Sequence, residues 1–134
     1  KKKTNVIALE LPKGKIITGK QTDLLSPASS VIINAIKELS KIPDEINLLS
    51  PTILEPILKL RKNNNTLSLQ EVLIALAVCS VTNPSIASAL EKLEVLKDCE
   101  AHATYIVTNG DLKALKSLKI NLTCEPNFYS KEIM

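Results

Sequence analysis

Cys99 and His102 stand three residues apart, and Cys124 follows further along the chain. Two thiols and an imidazole form a donor set suited to zinc, which takes sulfur and nitrogen ligands in a tetrahedron. Glu100, Asp111 and Glu125 are the carboxylates nearest this group, and any of them could act as a general base beside His102. The candidate catalytic residues are therefore His102, Glu100, Cys99 and Glu125, and the weak metal candidates are Cys99, His102 and Cys124. Spacing works against the metal set. In a strand, residues three apart point to opposite faces, so Cys99 could join His102 only from a turn ahead of the strand. Buried thiols and a hydrogen-bonded histidine are the plainer expectation, and no cofactor is favoured.

A second group is rich in hydroxyls. Thr18, Gly19 and Lys20 end a strand-like segment, and after a polar stretch Ser26-Pro27-Ala28-Ser29-Ser30 opens a helix. A helix N-terminus presents free N–H groups and a partial positive charge, which suits an anion. Thr18, Gly19, Lys20, Ser29 and Ser30 are the candidate ligand-binding residues, for a phosphate or nucleotide-type group. The spaced second glycine of a Walker loop is missing, and an ordinary helix cap would use the same serines.

The elements that would hold these residues follow from local chemistry. Val6 to Leu11 and Lys15 to Thr18 flank Pro12 and Gly14, so a hairpin opens the chain. Ser26 with Pro27 caps a helix whose apolar positions, Ala28, Val31, Ile32, Ala35, Ile36 and Leu39, follow helical spacing. Glu45 to Leu49 has strand character, and Ser50-Pro51 starts a helix toward Lys62, broken or bent at Pro56. Asn63 to Asn65 is a loop. Ser68 and Glu71 form a capping-box pattern. The run from Val72 to Cys79 is apolar on nearly every side, which predicts the most buried helix, lying between layers. Asn83-Pro84 opens a further helix, Ala101 to Thr108 has the β-branched character of a strand, and Asn109-Gly110 turns it. Leu112, Leu115 and Leu118 define a short helix before a last strand, Ile120 to Cys124, stopped by Pro126. The order β-β-α-β-α-α-α-β-α-β predicts an α/β domain with a mixed sheet covered by helices on both faces, a three-layer α/β/α sandwich.

Composition excludes several classes. Apolar residues make up 45% of the 134, but aromatic residues only 2%, so the core is aliphatic, and three rings, Tyr105, Phe128 and Tyr129, argue against a stacking-based reader of bases. Seventeen basic and 14 acidic residues give a net charge of +3, part of it from Lys1, Lys2 and Lys3 at a solvated terminus. Neither nucleic acid nor a membrane surface is implied as a partner. Nothing approaches the roughly 20 apolar residues of a spanning helix. Three cysteines, an odd number, with no export signal point to free thiols and a cytoplasmic setting. The length suits one domain, residues 1–134, and the start without methionine suggests a piece of a longer protein.

Cys99-Glu100-Ala101-His102 and Asn121-Leu122-Thr123-Cys124-Glu125-Pro126 resemble the C-terminal part of the bacterial DUF1846 family. So do Ile17-Thr18-Gly19-Lys20, the helix from Ser29-Ser30 to Asn34-Ala35-Ile36-Lys37, Leu49-Ser50-Pro51 with Glu55-Pro56, Glu71 to Leu76, and Thr82-Asn83-Pro84. The resemblance runs in order along nearly the whole chain. It implies the C-terminal domain of a longer bacterial protein of the UPF0371 group and a cytidine-deaminase-like α/β/α architecture. Deaminases of that architecture hold zinc with His-x-Glu and Pro-Cys-x-x-Cys. Here His102-Ala103-Thr104 puts threonine in the glutamate's place and the second motif is missing, so zinc deamination is disfavoured.

Three functions stay open. The domain could contribute a phosphate or nucleotide-type site to a larger enzyme, act as a non-catalytic packing or oligomerisation module, or belong to a zinc-dependent hydrolase. The corresponding partners are the upstream domains of the same protein, a small phosphorylated ligand, and further copies of the chain. Whether the domain is part of an enzyme is not decided by its motifs.

Overall fold

The computed structural model describes residues 4–61 and 65–125. The Lys1–Lys3 run, most of the Asn63–Asn65 loop and the Pro126 strand stop lie outside them.

The hairpin forms as expected. Strands β1 (Val6–Glu10) and β2 (Ile16–Lys20) pair antiparallel with Leu9 opposite Ile17. Pro12 presets the turn, and Gly14 completes it at φ 94°, its N–H donating to the Leu11 carbonyl at 2.8 Å. Helix α1 (Pro27–Ser40) is capped by Ser26, whose side chain accepts from the Ser29 N–H at 3.2 Å. It ends at Lys41 in the left-handed region, where the Ile42 N–H reaches back to the Lys37 carbonyl at 2.9 Å. Helix α2 (Pro51–Lys59) runs through Pro56, so that proline ends nothing. Helices α3 (Leu69–Ser80) and α4 (Pro84–Glu91) begin at the expected Ser68–Glu71 capping box and Asn83 cap. A 3-10 turn (Lys92–Leu96) leads into β3 (Glu100–Ala103), then α5 (Asn109–Ser117) and β4 (Asn121–Cys124).

The four strands form one mixed sheet in the order β2-β1-β3-β4. β1 lies antiparallel to β3, and β3 is parallel to β4 across the α5 crossover. The alternation of the strands divides their residues cleanly. Ile7, Leu9, Ile17, Ala101 and Ala103 are buried on one face, under α1 and its neighbours. Glu10, Ile16, Thr18, Lys20, Glu100, His102, Asn121 and Thr123 are exposed on the other.

Three expectations need correcting. Residues 45–49 are turns and bends rather than a strand, with Leu48 and Leu49 buried in the core. Their apolar character reflects packing, not pairing. The strand expected over Ala101 to Thr108 stops at Ala103, because Thr108 is the N-cap of α5 and Asn109-Gly110 opens that helix instead of turning a strand. Finally, α1 rather than α3 is the enclosed helix. It lies between the sheet and the pair α3 and α4, while α3 leaves Ile74 and Val78 exposed. Within the described residues the helices cover one sheet face, so the observed arrangement is α/β with a mixed sheet whose second face is open.

Candidate functional site

The face of α1 that carries Ser30, Ile33, Asn34 and Lys37 follows helical spacing and meets the free edge of β2. Between them and the 44–54 segment lies a cleft of about 410 Å³. Thr18 and Lys20 line it from β2, and Ser30, Asn34 and Lys37 from α1. Lys37 is 5% exposed, and its ammonium donates to the Asp44 carbonyl at 3.0 Å. Among the described residues it forms no ion pair, although Asp44 itself borders the same cleft. The Ser30 hydroxyl is buried and has no hydrogen-bond partner among the described residues. Asn34 fixes the edge of the sheet by donating from Nδ2 to the Thr18 carbonyl at 2.9 Å.

Two of the hydroxyl-loop candidates have structural work instead. A Cβ placed on Gly19 would lie 2.2 Å from the Val31 backbone nitrogen, so the glycine lets α1 rest directly on β2. Ser29 is fully buried, and its hydroxyl donates to the Leu67 carbonyl at 3.0 Å. Neither is available to a ligand. Thr18, Lys20 and Ser30 border the same cleft, Ser30 from α1, and Thr18 and Lys20 from the sheet edge, their side chains standing on the open face.

A larger cleft of about 790 Å³ gathers the N-termini of α1, α3 and α5. Helix ends alone would favour an anion here, but carboxylates already sit on two of them. Glu71 closes the α3 capping box and is paired with Arg61 at 2.6 Å. Asp111, 2% exposed, accepts from the Leu69 N–H at 2.8 Å. Burial first, and then the Asp111 charge, push the Tyr105 phenol at this cleft well above its ordinary range. The smaller cleft, with its buried lysine, is the one suited to a negative group.

The His102 group lies on the open sheet face. His102 Nδ1 is 2.8 Å from Thr123 Oγ1, and Nε2 is 3.8 Å from Glu125 Oε1. Alongside, Asn121 donates to Glu100 at 3.2 Å. An imidazole between a hydroxyl and a carboxylate can move a proton, so Glu100, His102 and Glu125 do share one neighbourhood. Cys99 does not. It has the parity of the buried Ala101 and Ala103, and Cys124 stands opposite Ala103 on that same inner side. The zinc set is therefore split by the sheet, and among the described residues no three His, Cys, Asp or Glu side chains could hold a metal together.

Cys99 is also a poor nucleophile. Burial first, then Asp98, Glu10 and Glu100, raise its thiol above the ordinary range. In a timed iodoacetamide reaction at about pH 8, the partly exposed Cys79 and Cys124 should alkylate well before Cys99. Equal rates by peptide mass spectrometry would contradict this placement.

A family model described as "Domain of unknown function DUF1846, C-terminal" matches residues 1–134. The chain belongs to the DUF1846 family. A UPF0371 protein of Clostridioides difficile (strain 630) is 46% identical over 133 residues, covering 96% of this chain. UPF0371 proteins of Clostridium botulinum (strain Eklund 17B) and Clostridium tetani are 48% and 42% identical over the same length and coverage. In each case the match is 26% of the relative, so the chain spans about a quarter of the length of these curated relatives.

Within this DUF1846 domain, sequence reasoning missed Lys37 and Asn34. Helical spacing held the signal: Lys37 falls seven residues after Ser30, beside the core position Ile36 on a helix that is otherwise largely apolar. A lone lysine on such a surface either extends its ammonium to water or serves a buried partner.

Proposed function

We propose that this DUF1846 domain binds the negatively charged part of a small ligand, of phosphate or nucleotide type, in the cleft between α1 and β2, as one contributor to a larger enzyme. The observation that carries this reading is the burial of Lys37 with, among the described residues, a single backbone carbonyl for its charge. Taking an ammonium out of water costs several kcal/mol, roughly, unless an opposite charge and further hydrogen bonds offset it. An anion in the cleft would offset it. The same anion would give the Ser30 hydroxyl a partner that it lacks among the described residues, in the cleft that Thr18 and Lys20 border from the sheet edge.

The three-layer, cytidine-deaminase-like architecture is part of the same proposal. It requires that the open sheet face be covered in the longer protein, which would enclose His102, Thr123 and Glu125 as a proton-transferring group. The three free thiols support a reducing, cytoplasmic setting. No helix of the described residues is long and apolar enough to cross a membrane.

Titration calorimetry of the full-length protein with inorganic phosphate and with adenosine monophosphate tests the site. Lys37→Met should weaken the tighter of the two by about 10- to 100-fold, the loss expected for one charge-assisted hydrogen bond. Lys113→Met, on the exposed side of α5, should leave it unchanged. Binding that survives Lys37→Met intact, or no binding of either probe, would count against the cleft.

A further inference from the structure

Helix α3 carries an apolar face that the described chain leaves uncovered. Ile74, Val78 and Val81 are 56%, 67% and 82% exposed, and Ala77 between them is exposed as well. Their spacing puts them on one side of the helix and its cap, over about two turns. The opposite side, with Val72, Ala75 and Leu76 buried, faces the rest of the helical layer. Ile106, 62% exposed, lines the larger cleft together with Ile74. The only charged residue of α3 is Glu71, which is held in the capping box and by Arg61. A helix that stays in contact with water normally shows charged or polar groups on that side, and one that is apolar all round is normally covered on both.

We infer that this face is the docking surface for an apolar element of the upstream portion of the same polypeptide. The matched region is 26% of the relatives' length, and the family model names it the C-terminal part, so most of the relatives' chain precedes it. The size of the patch distinguishes this occupant from a second copy. A stable interface between separate chains buries roughly 1,200–2,000 Å² in all, with about 20–30 residues a side. The patch here is five apolar residues, Ile74, Ala77, Val78, Val81 and Ile106, well short of that number. A tethered segment needs far less, because the linker holds it at an effective concentration on the order of millimolar. The upstream portion would then meet the domain along α3 and enclose the mouth of the larger cleft at Ile74 and Ile106.

The test is photocrosslinking in the full-length protein, with p-benzoylphenylalanine in place of Val78 and, as a control, in place of Lys13 at the tip of the exposed hairpin turn. Both positions face solvent in the domain, so neither replacement disturbs its core. The expected product from the Val78 position runs as a monomer, and its crosslinked peptide maps upstream of the region matched here, at several times the yield of the control. A dimer-sized product, or a yield no higher than at Lys13, overturns the proposal.

Discussion

Gly19→Ala should destabilise the domain by about 3 kcal/mol or more, at the upper end of what overpacked side chains cost. The added Cβ would lie 2.2 Å from the Val31 nitrogen and 2.5 Å from its Cα, and both are backbone atoms of α1. Neither side can give way cheaply. β1 holds β2 through the sheet, with Gly19 opposite Ile7, while α1 is pressed from behind by α3 and α4. Against a total stability of roughly 5–15 kcal/mol, the melting temperature should fall on the order of 10 °C. Gly110→Ala makes the matching control. Its Cβ meets nothing within 4 Å, and the residue lies in the first turn of α5, so alanine should be neutral or stabilise by roughly 0.5–1 kcal/mol. Urea titrations followed by circular dichroism would rank the two. A Gly19→Ala domain that melts like its parent would mean that α1 does not rest on β2 as described, and the cleft containing Lys37 would lose its floor.

Much of the helical architecture was legible because helix starts are chemical events within four residues. Ser26-Pro27, Ser50-Pro51, Ser68 with Glu71, and Asn83-Pro84 each mark a start that the structure keeps. Strand ends were harder. Tyr105, Ile106, Val107 and Thr108 have the composition of a strand, yet β3 stops at Ala103 and the Thr108 hydroxyl caps α5. Residues 45–49 were misleading in another way. Leu48 and Leu49 are apolar because they close the core below α1, and the Asp44 carbonyl beside them is committed to Lys37. Single-residue preference does not separate a strand from a buried coil, since both reward apolar side chains.

The candidate cleft was legible in part for the same reason. Thr18, Lys20 and Ser30 were singled out from their place near a helix start and border one cleft, and parity along β3 correctly put Cys99 and His102 on opposite faces. Lys37 was not found, because its significance is its burial, and burial depends on how α1 packs against the 44–54 segment. Ser29 shows the converse. Its hydroxyl looked like part of an anion-binding helix end, but the Leu67 carbonyl, far along the chain, takes its proton. Only the tertiary pairing of residues 25 and 67 brings that acceptor near.

Asp111 provides the second large effect. Its carboxylate is 2% exposed, lies in the first turn of α5, and accepts from the Leu69 N–H at the start of α3 at 2.8 Å. One side chain thus serves two helix N-termini. Asp111→Ala leaves the fully buried Leu69 without that partner, at about 1–3 kcal/mol, and removes a favourable charge at each helix end worth roughly 0.3–1 kcal/mol. The expected loss is about 2–5 kcal/mol. Asp111→Asn keeps an acceptor oxygen but not the charge, so its stability should fall between the parent and the alanine variant. Chemical denaturation of the three proteins at one pH reads the order directly. If asparagine proves as damaging as alanine, charge at the helix ends outweighs the hydrogen bond. If neither variant is affected, α3 and α5 are not joined in this way. Phosphate offers an independent check on which cleft takes an anion. With the native carboxylate gone, the helix ends of the larger cleft are free to accept one, so added phosphate should restore more stability to Asp111→Ala than it adds to the parent.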